Sequence, residues 1–233
     1  MHVFALLSLA LAPGIAIALY VYLHDRHERE PLWLLILSFI YGAFSTLLTL
    51  LFRAPLTFLV SYLGREGMPE FVSAYFKVAL IEEFSKFILL RFVLYYNRHF
   101  NESFDGIVYA IMVGMGFATA ENLEYVFKYG LATGVARMFT AVPAHAVFAV
   151  LMGYFLGKAK FTHRHTTLYS LLALFSAAIF HGSYDYFWYI SFIPGIWIGA
   201  VVSLALTIIL GRKAMHIHDQ SAIFIDNENK KAG

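Results

Sequence analysis

The stretch Ile81-Glu82-Glu83-Phe84-Ser85-Lys86 places two carboxylates and an amine inside an apolar run from Phe71 to Tyr95. A charged side chain near a bilayer centre costs a few kcal/mol at least. These groups therefore need partners, water or both. Glu82 lies four residues from Lys86 and Glu83 three, and both spacings bring side chains together on one helix face. An ion pair that neutralises itself in a bundle would explain one carboxylate and leave the other uncompensated. The chemical alternative is that Lys86 holds one carboxylate while the other acts as a base.

More such groups lie inside later apolar runs: Glu121, His145, and His181 with Asp185 four residues on. Glu121 reads as a partner for Lys86, a proton carrier or a structural acceptor. His145, after Pro143, is either a hydrogen-bonded core imidazole or a proton-transfer group. A carboxylate one turn from an imidazole fixes its tautomer, so His181 and Asp185 are a structural pair or an oriented acid–base unit. Glu124, Tyr184 and Tyr186 read as groups near the membrane surface. The histidines at 2, 24, 27, 99, 163, 165, 216 and 218 fall in loops or near the termini.

The elements that must position these groups follow from composition. Of the 233 residues, 60% are hydrophobic and 14% charged, against about 45–50% and about 25% in soluble domains. The fold class is an all-α polytopic membrane bundle. Seven candidate spans run over 3–23, 32–52, 71–95, 105–128, 135–157, 168–189 and 193–211, each close to the ~20 residues a helix needs to cross a bilayer. The first lacks a Lys/Arg-rich start and continues past Pro13 to Leu23, so it is expected to be a retained helix. Residues 53–63 extend the second span along the interface. One bundle domain over 1–211 and a polar cytoplasmic tail over 212–233 are expected.

Of the 17 Lys and Arg residues, eleven fall on one side of these spans, from Arg26 and Arg29 to Lys230 and Lys231. Five, Arg53, Arg65, Lys77, Lys128 and Arg137, fall on the other, and Lys86 lies between. The basic side is cytoplasmic by the positive-inside rule, which puts the N-terminus outside and the C-terminus in the cytoplasm. Glu82, Glu83, Glu121, His145, His181 and Asp185 then share the outer half of the membrane or its midplane. Four spans place polar groups at one depth, as a single cavity requires.

Several chemistries are excluded. The net charge of +2 makes no case for nucleic acid. Without cysteine there is no disulfide, thiol nucleophile or thiolate metal site. No His-Glu-x-x-His or Gly-x-Ser-x-Gly occurs, so a zincin site and a nucleophile elbow are absent. Asp105 and Asp185 stand at opposite depths, which argues against an aspartyl dyad.

Taken together, Glu82-Glu83-x-x-Lys86, Phe117-x-x-x-Glu121, His145 and His181-x-x-x-Asp185 resemble the motif series of the PrsW proteases, bacterial relatives of the CAAX-prenyl protease and abortive-infection superfamily. Ala12-Pro13-Gly14, Glu30-Pro31 and Asp105-Gly106-Ile107-Val108-Tyr109 extend the resemblance over nearly the whole chain. It implies a glutamic-type intramembrane peptidase of the bacterial cell membrane. Its role would be the site-1 cut in a membrane-anchored anti-sigma factor, on the extracytoplasmic side, leading to sigma factor release. Where the wider superfamily has an arginine one position later in the first motif, this chain has Lys86, and Glu121 replaces a histidine in the second.

The expected mechanism is attack of water on a peptide carbonyl. Glu82 or Glu83 is the general base, and the superfamily resemblance favours Glu82. His181, oriented by Asp185, or His145 stabilises the oxyanion and protonates the leaving amine, while Lys86 tunes the glutamates. No cofactor and no metal is expected. Two rivals stand beside this: the same residues around a zinc ion, and a proton-coupled transporter or channel. The topology is open to direct test. Reporter fusions after Gly67 and after Gly130 should read outside and one after His165 inside; an inside signal at Gly67 would sink the seven-span arrangement.

Overall fold

The computed structural model describes residues 2–24, 29–62, 69–162, 165–190, 192, 194–195 and 198–213. All regular structure among them is helical. Helix α1 is His2–His24 and α2 is Leu32–Tyr62. Helix α3, residues 70–92, joins a first turn Glu70–Val72, a π-helical stretch Ser73–Ala79 and an α-helix Leu80–Phe92. Then come α4, Asp105–Tyr129, α5, Leu131–Phe139, α6, Ala141–Phe161, and α7, Thr166–Tyr189. Residues 198–213 form α8.

Five helical stretches are long and apolar enough to cross a membrane: Val3–Leu23, Leu32–Phe58, Asp105–Tyr129, Leu131–Phe161 and Thr166–Tyr189. Helix α3 falls outside that set because its middle carries Glu82, Glu83 and Lys86. Helix α8 is shorter than the ~20 residues a perpendicular crossing needs. Among the described residues of the expected seventh span, 193–211, regular helix covers 198–211. Of the expected tail, 212 and 213 continue that helix, and 214–233 lie outside the described residues.

Residues 53–62 extend the second span, as expected: α2 is one helix of 31 residues that continues through Arg53 and Pro55. The fifth span is not continuous from 135 to 157. It breaks at Thr140, which has φ −122° and ψ −78° between α5 and α6. Pro143 has no N–H to offer the carbonyl of Phe139, so the ladder fails there. In the first turn of the new helix that missing donor costs nothing, and the Ala144 N–H bonds the Thr140 carbonyl at 3.1 Å.

Helix α4 is the axis of the bundle. Its span is 83% buried, against 22% for α1, and α1, α2 and α6 pack around it. Lipid is as apolar as a leucine side chain, so helix association in a membrane rests on close van der Waals packing at small residues. A Cβ built on Gly106 would lie 2.5 Å from the Gly153 carbonyl oxygen, and one on Gly153 would lie 2.3 Å from the Gly106 carbonyl oxygen. Gly42 and Gly116 bring α2 against α4 in the same way.

One end of the bundle is tied by polar contacts. Asp105 Oδ2 accepts the backbone N–H groups of Asn101 and Glu102, both at 2.7 Å. The Tyr109 hydroxyl donates to Glu30, and Lys160 Nζ donates to the Tyr95 carbonyl at 2.6 Å. The glycine contacts make a prediction. Gly153→Ala should lower the stability of the purified protein by about 1–3 kcal/mol, the usual cost of overpacking. Gly211→Ala, whose Cβ would meet nothing closer than 3.4 Å, should melt like wild type. Thermal unfolding in detergent checks both, and equal midpoints would contradict the packing.

Candidate active site

Glu82 and Glu83 are adjacent on α3, so their side chains diverge by about 100°. Glu83 is 1% exposed; its Oε1 accepts from Lys86 Nζ at 2.7 Å and lies 2.8 Å from His181 Nδ1. Glu82 is 4% exposed and turns the other way. Its Oε1 accepts from Arg53 Nη2 of α2 at 2.9 Å. Its Oε2 has no hydrogen-bond partner among the described residues and lies 3.9 Å from His181 Nε2. The amine of Lys86 therefore belongs to Glu83.

The other groups close a network across the bundle. Lys86 Nζ lies 3.2 Å from His145 Nδ1 and 4.0 Å from the centre of the Phe117 ring. An ammonium has only donors, so His145 Nδ1 accepts and its Nε2–H donates to Glu121 Oε2 at 3.1 Å. Glu121 also accepts from Arg137 Nη2 of α5 at 2.7 Å. His181 Nε2 lies 3.3 Å from Asp185 Oδ2. Both its nitrogens thus face carboxylates, which an imidazolium satisfies with two N–H donors. The ring stacks on Phe148, with centroids 5.0 Å apart and planes 15° apart, and meets His145 edge-on at 5.0 Å.

Every residue singled out in the sequence lies in this one cluster: Glu82, Glu83, Lys86, Glu121, His145, His181 and Asp185. Glu124 is exposed, as expected. Tyr184 is not a surface aromatic but is buried, with its ring 6.2 Å from that of Phe148. The sequence reading misses Arg53, Arg137 and Asn122. It assigns the two arginines to the outer surface, although Arg53 prolongs an apolar run and an ionisable residue there signals a site. Asn122 has a different logic. Pro13 cannot donate to the Leu9 carbonyl, and Asn122 Nδ2 does so at 3.1 Å while its Oδ1 accepts from Arg137 Nε at 3.0 Å.

Two cavities of about 280 and 270 Å³ flank the cluster. Glu121, Tyr125 and Tyr189 line both; His145, His181 and Asp185 open on the first, Arg53 and Glu82 on the second. Glu82, His145 and His181 each offer one atom within 4.8 Å of the others, a donor set able to hold a metal ion. Two imidazoles and a glutamate are a known catalytic zinc set, and the Nδ1 contact of His181 with Glu83 is the outer-shell bond such a ligand makes. The residues fit an ion if His181 is neutral, with its Nε2 lone pair turned toward Glu82, and if His145 gives up its bond to Lys86 or to Glu121 so that one ring lone pair is free.

A bundle of membrane-spanning helices with a buried, cavity-lined carboxylate–imidazole cluster holds the groups that hydrolysis within a membrane requires. Residues 30–211 match the family described as "PrsW family intramembrane metalloprotease". The chain is 37% identical over 185 residues to Protease PrsW of Geobacillus kaustophilus, covering 78% of this chain and 79% of that protein. To Protease PrsW of Bacillus subtilis it is 36% identical over 186 residues, 78% and 82% of the two chains. To that of Clostridioides difficile it is 32% identical over 234 positions, 97% of each. No solved structure matches. The chain belongs to the PrsW family of intramembrane proteases.

The geometry predicts an unequal cost of disturbing the pair on α3. Lys86→Met should destabilise the protein by about 3–5 kcal/mol, because Glu83 stays buried without its cation. Lys86→Met with Glu83→Gln should regain part of that loss. Thermal unfolding in detergent reads both; a Lys86→Met protein as stable as wild type would show that the pair does not matter.

Proposed function

We propose that this chain is a multi-pass peptidase of the bacterial cell membrane that makes the first cut in a membrane-anchored anti-sigma factor, on the extracytoplasmic side. Membership of a protease family favours hydrolysis over proton-coupled transport. The observation that carries the catalytic reading is Glu82: its buried Oε2 has no hydrogen-bond partner among the described residues, and the residue stands beside two imidazoles and lines a cavity. The orientation rests on the basic loops, whose asymmetry supports an outer-face position for the cluster.

In this reading Glu82 Oε2 takes a proton from water while the water oxygen bonds to the scissile carbonyl carbon. The carbonyl π pair moves onto oxygen. When it returns, the C–N bond breaks, and a proton from an imidazole goes to the leaving nitrogen. His181 is fitted to that task, since Glu83 and Asp185 hold it as a proton-bearing ring beside Glu82. Glu83, tied to Lys86 and His181, holds the acid in place and is a poor base. Glu121 and Arg137 orient His145.

A second reading is favoured by the donor set itself and by the metalloprotease description of the family. Glu82, His145 and His181 would hold a divalent ion such as zinc, which supplies a Lewis acid when bound. The two readings require different forms of His181, imidazolium without the ion and neutral imidazole with it.

Glu82→Gln nearly preserves shape while removing the proton acceptor. It should stay folded by thermal melting and lose about 10²–10⁴ in cleavage rate of a candidate anti-sigma factor. Glu83→Gln should lower activity partially or destabilise the protein. A folded, dead Glu83→Gln beside an active Glu82→Gln reverses the assignment; two active variants remove both glutamates from the chemistry. Strong chelation should leave the wild-type rate intact. Activity lost to a chelator and restored by zinc would put the ion at the centre.

A further inference from the structure

Arg137 and Arg53 each bind a glutamate of the cluster, but not alike. Arg137 is fully engaged: Nη2 on Glu121, Nε on Asn122 at 3.0 Å, and the guanidinium 4.0 Å from the centre of the Tyr125 ring. Arg53 makes one bond, Nη2 to Glu82 Oε1 at 2.9 Å. Its Nε is buried and no group among the described residues accepts from it, just as none donates to Glu82 Oε2.

That arrangement is unusual for this pair of residues. A guanidinium and a carboxylate commonly meet as two forks, with two parallel bonds. Nε with Nη2 on both oxygens of Glu82 would satisfy all four atoms. Here only one bond of the fork is made, and a donor and an acceptor remain on the same ion pair. Buried polar atoms without partners call for an explanation. Both residues line the cavity of about 270 Å³, together with Thr46, Thr49 and Tyr125. A peptide bond undergoing hydrolysis presents the complement: a carbonyl oxygen that gains negative charge, and a water that loses a proton.

We propose that Arg53 is a catalytic residue whose Nε–H donates to the scissile carbonyl oxygen, while Glu82 Oε2 on the same ion pair receives the proton of the attacking water. The proposal rests on the reading of Glu82 as the base. As the water oxygen bonds to carbon, the π pair moves onto the carbonyl oxygen and its charge is met by the guanidinium. On collapse the pair returns, the C–N bond breaks and the amine leaves protonated. The bond to Oε1 fixes the distance between donor and base, so one substrate carbonyl is presented to both. A donor aimed at developing charge acts mainly in the transition state, so its loss should appear in kcat and not in KM.

The test uses the purified full-length protein in detergent, with cleavage of a membrane-anchored substrate as the assay and thermal melting as the folding check. Arg53→Lys keeps a cation beside Glu82 Oε1 and removes the planar fork. Its kcat should fall by about 10²–10³ with little change in KM. Arg53→Ala should be at least as impaired, regaining rate with added methylguanidinium and not with methylammonium. Arg53→Gln replaces Arg53→Lys in the kinetic comparison if the latter does not fold. An Arg53→Lys enzyme near the wild-type kcat, or equal rescue of Arg53→Ala by methylammonium, overturns the proposal and leaves Arg53 as a counter-charge for Glu82. Glu82→Gln run alongside separates the two claims: if it is folded and active, the base assignment itself has failed. If it is dead while Arg53→Lys is normal, only the role of Arg53 has failed.

Discussion

Cancelling buried charge inside an apolar bundle is the constraint on which this structure depends. Glu82, Glu83, Glu121 and Asp185 bring four carboxylates into one cluster, and Arg53, Lys86 and Arg137 stand against them, with His181 set between Glu83 and Asp185. In a medium of low dielectric constant an unmatched member of such a set costs several kcal/mol. The cluster therefore draws α2, α3, α4, α5, α6 and α7 to one place. No helix carries a balanced set by itself. Glu83 and Lys86 come nearest, and even they need His181 from α7 to complete the hydrogen bonds of the carboxylate.

The packing that makes this convergence possible is apolar and lies partly far from the charges. Gly106 and Gly153 set the separation of α4 and α6 at one end of the bundle, and that spacing carries His145 to Glu121 at the other. A local device joins α3 to α7. A Cβ on Gly182 would lie 2.6 Å from the Tyr75 ring, and the Tyr75 hydroxyl meets Ser183 Oγ at 2.6 Å. Tyr75 sits in the π-helical stretch Ser73–Ala79. Such stretches accompany functional sites. The widened turn rotates the next residues of the helix about its axis, and here those residues include Glu82 and Glu83.

Two neighbouring glutamates acquire different properties from this setting. Glu83 faces the interior seam, where Lys86 and His181 occupy it. Glu82 faces the seam between α2 and α4, where Arg53 binds one oxygen and the residue lines a cavity. Chemically identical residues become a structural anchor and a reactive group because a step of about 100° on the helix points them at different neighbours. The two imidazoles are likewise distinguished by what faces them, an ammonium at His145 and carboxylates at His181.

The sequence by itself determined the membrane setting, the all-helical class and most helix ends. It also picked out seven residues of the cluster, because an ionisable group in an apolar run has no bland place to go. It ran the fifth span unbroken through Pro143 and left Tyr184 on the surface. What the tertiary structure alone decided is partnership: Arg53 with Glu82, Lys86 with Glu83, Arg137 with Glu121 and Asn122. In a soluble helix the apolar face shows which way the helix is turned. In these helices the lipid-facing and the core-facing sides are both apolar, so periodicity carries little azimuthal information. Which charge meets which is set by helix rotation and closeness of approach. Those depend on glycines and a π-turn whose effect is legible only once the neighbouring helices are in place.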